Sequence, residues 1–274
     1  MRLFSAPISA TLAGMGYMLA TTVCFSIMAA MARHVGQELE PLVVAFWRSL
    51  FAMVFMAPLL VPYGLAPFRT QKLGLHLVRN LLQALDMFAY FIGVALLPLA
   101  ETTALSFTTP LFAVLFAVVV LGERIKARRI GALIVGFAGV MVVVQPGGGP
   151  LAYGDAMILI SSLFWAAAIT VIKLLARTES SLTLTAYMTV LMVPFALVPA
   201  LFVWQWPSWV DLGFCAAMGL IGTFGHLAFA QAFRLADSTA VMPLDFTRLV
   251  WASLLGFVLF AETPSLAHWV GGAL

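Results

Sequence analysis

Long apolar segments, separated by short polar stretches, follow one another along the whole chain. They lie near residues 10–32, 41–62, 75–97, 100–121, 129–145, 154–176, 183–204, 209–233, 238–260 and from 265 onward. A helix needs about 20 apolar residues to cross the hydrocarbon core of a bilayer, so the pattern predicts ten transmembrane helices. The tenth segment stops at Leu274 after about ten residues, about half of a full span. We therefore expect the sequence to be truncated there.

The second five segments repeat the plan of the first five. Leu99 to Ala104 reads LAETTA and Leu235 to Ala240 reads LADSTA. An odd number of crossings per repeat places the second repeat upside down in the membrane. The predicted fold class is an all-α integral membrane protein with ten transmembrane helices as two inverted five-helix repeats, residues 1–147 and 148–274. Many secondary transporters have this architecture, with the substrate site at the midplane between the repeats.

The composition agrees with a membrane protein. Hydrophobic residues make up 63% of the chain and charged residues 9%, which is too little charge to cover a water-soluble globule. The net charge of +3 comes from basic residues spread over short loops, unlike the basic patch of a nucleic-acid-binding protein. Since such residues concentrate on the cytoplasmic side, eleven on one side against Arg33 alone on the other predict a cytoplasmic N-terminus. The eleven are Arg2, Arg69, Lys72, Arg79, Arg124, Lys126, Arg128, Arg129, Lys173, Arg177 and Arg234.

Four charged residues lie well inside predicted helices: Arg48, Asp86, Asp245 and Arg248. A charge at the bilayer centre costs about 2.5–3.5 kcal/mol on insertion scales, so it normally faces the bundle interior and has a partner or a function. Asp245 and Arg248 are three residues apart and can pair along one helix face, either as a structural ion pair or as a gate or anchor for a zwitterionic substrate. Arg48 lies nearer the outer end, where it can snorkel, and we interpret it as structural.

A polar stripe follows one face of the third segment. Its members recur at i, i+3, i+4 and i+7, and they are Gln83, Asp86, Met87 and Tyr90. The repeat places a matching face on the eighth segment, at Gly222, Thr223 and His226. In an inverted repeat both faces would line one central cavity, with aromatic walls and a few polar anchors. The alternative is that these groups only form interhelical hydrogen bonds that hold the bundle together.

Trp165 and two prolines also interrupt the apolar pattern. Trp165 lies a third of the way along the sixth segment, not at a membrane interface where Trp usually anchors a helix, so core packing and stacking on a substrate ring both stay open. Pro110 and Pro243 remove backbone hydrogen bonds from the fourth and ninth segments, and we expect them to act as hinges or gates. The glycines of the fifth segment allow close packing against the tenth segment or a second copy, so a homodimer stays open.

Three stretches resemble a known family. They are Leu97 to Glu123 (LPLAETTALSFTTPLFAVLFAVVVLGE), Gly136 to Val140 (GFAGV) and Pro243 to Glu262 (PLDFTRLVWASLLGFVLFAE). The chain resembles the EamA-type transporters of the drug/metabolite transporter superfamily, and Phe164-Trp165-Ala166 is similar to the YddG-type aromatic amino acid exporters. The resemblance implies a bacterial inner-membrane carrier that works by alternating access and binds its substrate among segments 1, 3, 4, 6, 8 and 9. Family members carry amino acids, nucleotide sugars, vitamins and other metabolites.

Enzyme motifs are absent from the sequence, which has no HExxH zinc pair, no GxSxG nucleophile elbow and no GxxxxGK[ST] phosphate loop. We therefore predict a protein that is not an enzyme and needs no metal ion or cofactor. The predicted function is secondary transport of small organic metabolites across the cytoplasmic membrane, with export of amino acids, including aromatic ones, as first candidate. Uptake of a vitamin or nucleoside-like metabolite is the alternative. A channel comes third, because it would need a continuous polar pore.

The expected partners are a small-molecule substrate and the lipid bilayer, without nucleic acid. The candidate substrate-binding residues are Gln83, Asp86, Met87, Tyr90, Phe107, Trp165, Thr223, His226, Asp245 and Arg248, and the candidate hinges are Pro110 and Pro243.

Overall fold

Helices form the regular structure of the described chain. The computed structural model describes residues 8–121, 131, 135, 138, 142, 152–175, 178–236, 244–245, 247–263 and 270. The α-helices in these ranges are α1 (Ile8–Val35), α2 (Pro41–Leu60), α3 (Leu73–Leu96), α4 (Leu99–Ser106), α5 (Thr109–Leu121), α6 (Tyr153–Leu175), α7 (Ser181–Phe202), α8 (Trp209–Leu235) and α9 (Thr247–Phe260). Two 3-10 turns, Val61–Tyr63 and Ala66–Phe68, follow α2.

Six segments of the described chain are long and apolar enough to cross a membrane: Ala10–Val35, Pro41–Tyr63, Leu73–Leu96, Tyr153–Ile172, Leu182–Phe202 and Trp209–Phe229. Large apolar side chains on the outer surface stay uncovered, and Phe202 and Trp209 are 86% and 89% exposed. Such a surface is suited to contact with lipid rather than water. The protein is therefore an all-helical, multi-pass membrane protein, as predicted. The fifth and tenth predicted segments fall outside the described residues, except for single positions.

The fourth predicted segment is not one continuous helix. It consists of α4 and α5, and Phe107 and Thr108 interrupt it. Pro110 stands in the first turn of α5, where a backbone N–H is not required, so it begins a helix rather than kinking one. The Thr108 hydroxyl and the Thr108 backbone N–H both donate to the Leu105 carbonyl, at 2.8 and 3.0 Å. The hinge expected at Pro110 thus corresponds to a break just before it, and Pro243 lies outside the described residues.

Helix α1 runs antiparallel to α8. Gly14, near the start of α1, is so close to Ala236, just beyond α8, that a Cβ on the glycine would lie 2.7 Å from the alanine Cβ. At the other end of α1, the rings of His34 and Phe214 lie 5.1 Å apart, and Phe214 is near the start of α8. The first long helix therefore pairs along its length with a helix of opposite direction.

Helix α3 pairs with α6 in the same manner. Leu97, just after α3, packs against Gly154 at the start of α6, and Asp86 in the middle of α3 bonds to Ser161. These contacts again require the two helices to run in opposite directions. We call the end of the bundle that contains Arg33 the Arg33 end and the end that contains Arg69 the Arg69 end.

Helices α2 and α7 are also antiparallel and complete the centre of the bundle. Trp47 of α2 lies 6.2 Å from Trp204, beyond the end of α7, whereas Met56 packs with Ala186 near the start of α7. The largest buried apolar cluster lies between α1, α2, α3 and α7. This cluster fills the Arg33 half of the bundle. The polar groups of the bundle centre therefore lie nearer the Arg69 end.

At the Arg33 end, Glu262 joins three helices. Its carboxylate forms a salt bridge with Arg33 of α1 and accepts a hydrogen bond from the backbone N–H of Leu99, at the start of α4, at 3.0 Å. The Arg33 guanidinium also lies over the Phe260 ring, 5.0 Å from its centroid. We call Arg33, Glu262 and Leu99 the Arg33 clamp. The basic residue assigned to the outer loop is thus a largely buried ion-pair partner, with its side chain 13% exposed.

Candidate functional site

A buried cavity lies midway along the bundle, between α2, α3, α7 and α8. Its volume is about 40 Å³, room for about three water molecules, whereas pockets for drug-sized ligands enclose about 300–1,000 Å³. In this conformation the space between these helices is therefore smaller than a metabolite. The polar lining residues are Arg48, Ser49, Gln83, Thr185, Thr189, Thr223 and His226.

The polar stripe of α3 faces the bundle interior and not lipid. Gln83 lines the cavity and is 8% exposed. One turn further, Asp86 accepts a hydrogen bond from the Ser161 hydroxyl of α6 at 2.6 Å. The Sδ atom of Met87 accepts from Nη1 of Arg48 at 3.3 Å. The two roles that the sequence leaves open thus occur in one stripe, since Gln83 lines the cavity and Asp86 bonds two helices together.

The matching face of α8 meets the same cavity. Thr223 and His226 line it, and the His226 ring packs edge-on against Phe25 of α1, with centroids 5.1 Å apart. A Cβ on Gly222 would lie 3.2 Å from Nη2 of Arg48, so the missing side chain leaves room for the guanidinium. The structure therefore brings the stripes of α3 and α8 to one site.

Arg248 and Asp245 form a second polar group, outside the cavity lining. Arg248 Nη2 lies 3.9 Å from Asp245 Oδ2, so the pair expected at i, i+3 is present. The Arg248 guanidinium lies 5.6 Å from the centroid of the Phe107 ring, and it interacts electrostatically with Tyr90. Tyr90 and Phe107 also pack on one apolar cluster. These four candidate residues are neighbours, and Tyr90 also interacts electrostatically with Asp86 and with the cavity residue Arg48.

Trp165 is partly buried on α6. It stands four residues after Ser161 and so shares that residue's face of the helix. It is not among the residues that line the cavity. The structure therefore places it near the α3–α6 contact and not at the cavity wall.

Several residues that line the cavity are not among the candidates predicted from the sequence. Thr185 and Thr189 stand four apart in the seventh segment, and that spacing places both on one helix face, a signal that could have identified them. Arg48, interpreted from the sequence as structural, instead contributes its side chain to the cavity lining. Arg79, counted as a loop charge, lies within α3 and is 4% exposed. It extends the α3 stripe by one turn, because Gln83 is four residues further.

Ser161→Ala should destabilise the protein, whereas Ser162→Ala should not. Both serines are buried, but only Ser161 has a partner, the Asp86 carboxyl group; the Ser162 hydroxyl has none among the described residues. Loss of a hydrogen bond that leaves a buried polar group unsatisfied costs about 1–3 kcal/mol. Thermal unfolding of the two purified variants in detergent measures the difference. Equal melting temperatures for both would show that the bond to Asp86 contributes nothing to stability.

A bundle of membrane-crossing helices around a closed polar cavity has the architecture of a small-molecule carrier. The EamA-like transporter family matches the chain twice, over residues 12–145 and 152–274. The protein belongs to the EamA-like transporter family, as the sequence resemblance predicts.

Curated relatives of the chain are transporters of different small molecules. It is 30% identical to a riboflavin transporter of Rhizobium johnstonii, over 97% of this chain and 89% of the relative. It is 28% identical to an S-adenosylmethionine uptake transporter of Rickettsia prowazekii (92% and 85%) and 27% identical to a pseudopaline exporter of Pseudomonas aeruginosa (91% and 88%). The protein is thus a small-molecule transporter and not an enzyme, as predicted. The narrower YddG-type resemblance stays a prediction.

A solved crystal structure shares the fold. Its chain superposes with a TM-score of 0.64 at 19% sequence identity, over 97% of this chain and 93% of that chain.

Proposed function

We propose that the protein is a secondary carrier that moves small organic metabolites by alternating access, built from ten transmembrane helices as two inverted repeats, residues 1–147 and 148–274. The observation that carries this proposal is the small, partly polar cavity between antiparallel helices. Substrate sites of secondary transporters commonly lie at the interface of inverted repeats near the midplane. A position midway along the bundle, between helices of both proposed repeats, agrees with this.

The helix pairing supports the inverted repeats. If α1 to α3 are equivalent to α6 to α8, a two-fold axis in the membrane plane exchanges the α1–α8 pair with the α3–α6 pair, and both pairs are antiparallel. Gly14 of α1 and Gly154 of α6 occupy matching positions, each packed against the end of its partner helix. The two separate family matches agree with the same division. Repeats of equal direction would instead make these pairs parallel.

The charges at the two ends support a cytoplasmic N-terminus in a bacterial inner membrane. At the Arg69 end, Arg69 and Lys72 follow the 3-10 turns in a loop, where positive charge favours the cytoplasm. At the Arg33 end, the sequence count finds one basic residue, Arg33, and it is paired with Glu262. Arg33 therefore does not oppose a cytoplasmic N-terminus. The exposed Trp206 and Trp209 then mark the outer interface, where Trp is enriched.

Two features support alternation between states. The Arg33 clamp joins α1, α4 and α9 and closes the end that we place outside. At the Arg69 end, an apolar pocket of about 510 Å³ lies between α2 and α7 and shares Met56 and Thr189 with the cavity. The cavity must widen to hold a metabolite, so opening at one end while the other stays clamped is the motion that the arrangement favours.

For substrate, we favour uptake of a vitamin or nucleoside-like metabolite that contains an aromatic heterocycle. The support is that two relatives which cover most of the chain are named for riboflavin and for S-adenosylmethionine uptake. Methionines on α2 and α7, beside Phe25 and His226, supply adaptable apolar and aromatic contacts for such rings. Export of amino acids is the second candidate, supported by the exporter relative and by the Asp245–Arg248 pair, which offers both charges to a zwitterion.

Transport by the purified protein in liposomes tests the proposal. Labelled riboflavin, S-adenosylmethionine, nicotinate and phenylalanine are offered outside, with and without the same unlabelled compound inside. We expect saturable uptake of at least one of the first three, accelerated by internal substrate. Preference for phenylalanine would replace our substrate class by the second candidate, and flux without saturation or acceleration would indicate a channel and contradict the carrier.

Gln83→Leu should reduce this transport at least about tenfold, since the cavity loses a hydrogen-bonding side chain at its wall. Gln71→Leu is the matched control, because Gln71 is exposed in the loop before α3. Asp86→Asn and Trp165→Ala extend the comparison to the α3–α6 contact. Normal transport by all three site variants would refute the site assignment while leaving the family membership intact.

A further inference from the structure

Arg79 is buried, and no carboxylate of the described residues forms a salt bridge with it. Its side chain is 4% exposed, its Nη1 atom donates to the Leu184 carbonyl at 3.2 Å, and its Nε atom has no partner among the described residues. A buried charge is costly unless it is paired or has a function. Arginine stays protonated in proteins, so Arg79 cannot avoid this cost by becoming neutral.

Further unsatisfied polar groups follow the same face of α3. His76 is fully buried and stacks on Tyr187 with centroids 4.3 Å apart, yet neither ring nitrogen has a partner in the described chain. The Oε1 atom of Gln83 is likewise unpaired. His76, Arg79 and Gln83 are three and four residues apart, so they lie on one helix face. This face leads from the Arg69 end into the cavity.

The cavity region carries excess positive charge. Arg48 and Arg79 both act electrostatically on His226, which lines the cavity. The Asp86 carboxylate interacts electrostatically with Arg48 but forms no salt bridge with it among the described residues, and it accepts a hydrogen bond from Ser161.

Other carboxylates of the described chain form no salt bridge with Arg48 or Arg79. Glu179, at the Arg69 end, accepts a hydrogen bond from the Thr70 hydroxyl at 2.6 Å. Glu262 is paired with Arg33, and Asp245 is next to Arg248. Two guanidinium groups thus stand close to a cavity whose wall contains the unpaired Nε atom of Arg48.

We propose that the transported substrate bears an anionic group, a carboxylate or a phosphate, and that Arg48 and Arg79 bind this group at the Arg69 side of the cavity. The inference rests on the proposed carrier function and narrows its substrate class. The planar guanidinium fork matches carboxylate and phosphate oxygens in pairs. An anion would supply the counter-charge that Arg79 lacks among the described residues, would add to that of Asp86 at Arg48, and would give the unsatisfied Nε donors their acceptors.

Matched compounds that differ by one anionic group test the proposal. The pairs are nicotinate and nicotinamide, riboflavin 5′-phosphate and riboflavin, adenosine monophosphate and adenosine, and phenylalanine and its amide. Dissociation constants are measured by titration calorimetry on the detergent-purified full chain. We expect the anionic member of at least one pair to bind about tenfold tighter or more, the effect of one charge-assisted hydrogen bond.

Substitution of Arg48 and Arg79 tests whether these two arginines cause the preference for anionic compounds. Arg48→Gln and Arg79→Gln should each reduce the preference at least about tenfold, whereas Arg69→Gln, an exposed arginine at the same end, should leave it unchanged. If a glutamine variant fails to fold, Arg48→Lys and Arg79→Lys keep the test decisive. Each lysine keeps the charge but not the fork, so the preference should fall only a few-fold.

Several results would overturn the inference. These are equal or tighter binding of the neutral member in every pair, no binding of any anionic member, or an equal loss of preference in Arg69→Gln. A lipid phosphate as occupant would also overturn it, and it would show as loss of solute binding when phosphatidylglycerol is added to phosphatidylcholine vesicles. Saturable transport without preference for the anionic member of any pair would refute the anionic class while preserving the proposed carrier, whereas absence of all transport would refute the carrier itself.

Discussion

Glu262→Gln is expected to lower the stability of the protein by about 3 kcal/mol, because removal of one partner from a buried ion pair leaves the other charge uncompensated. The Arg33 and Glu262 side chains are only 13% and 14% exposed. Glutamine can still accept the hydrogen bond from the Leu99 backbone N–H. The loss of stability therefore measures the effect of leaving the Arg33 charge without its carboxylate partner. Thermal unfolding in detergent measures the effect, and the variant should melt several degrees below the wild type.

Glu38→Gln is the matched control for this variant. Glu38 is exposed in the loop after α1, where a substitution normally changes stability by less than about 0.5 kcal/mol. In Arg33→Gln/Glu262→Gln, no charge is left unpaired, and most of the loss should be recovered. A double variant less stable than either single variant would show that the clamp does not act as an ion pair. It would also weaken the proposal that the clamp closes the outer end.

Gly14→Leu is expected to prevent normal assembly of the bundle. Even a single Cβ at this position would lie 2.7 Å from the Ala236 Cβ and 3.2 Å from the Ala232 carbonyl oxygen. Neither atom belongs to a flexible side chain, so α1 and α8 would have to move apart. Overpacking of this kind costs about 1–3 kcal/mol or more. The yield of monodisperse protein from membranes and its melting temperature should both fall strongly.

Gly16→Leu provides the control on the same helix. Gly16 is exposed, and a Cβ there would meet nothing within 4 Å, so the added side chain would extend toward lipid. We expect wild-type yield and melting temperature for this variant. A severe defect in Gly16→Leu, or a normal Gly14→Leu protein, would contradict the close packing of α1 against α8.

The helices themselves could be predicted closely from the sequence. The second segment is predicted at 41–62, and α2 spans Pro41–Leu60 with a 3-10 turn after it. The eighth is predicted at 209–233, and α8 spans Trp209–Leu235. Such agreement has a physical cause, because the bilayer fixes how many apolar residues a crossing needs. The fourth segment departs from its prediction, because the helix breaks at Phe107 and Thr108.

The candidate site could be predicted only in part. The stripe at Gln83 and the matching face at Thr223 and His226 follow from helical periodicity, and both face the cavity. Trp165 does not line the cavity, although its position away from the interface suggested a special role. Arg79 is the clearest miss, since a basic residue near a segment end reads as a topology signal even when the helix buries it.

The sequence by itself determined the membrane class, the helices and the faces that are polar, because hydropathy and helical period are local properties of a chain in a bilayer. Only the tertiary structure decided which polar groups are partners. Arg33 meets Glu262 and Asp86 meets Ser161 across long separations in sequence. Such pairings depend on which helices pack together and at what height, and residue type and spacing do not encode that geometry. The arginines left without a carboxylate are likewise visible only once the helices are packed.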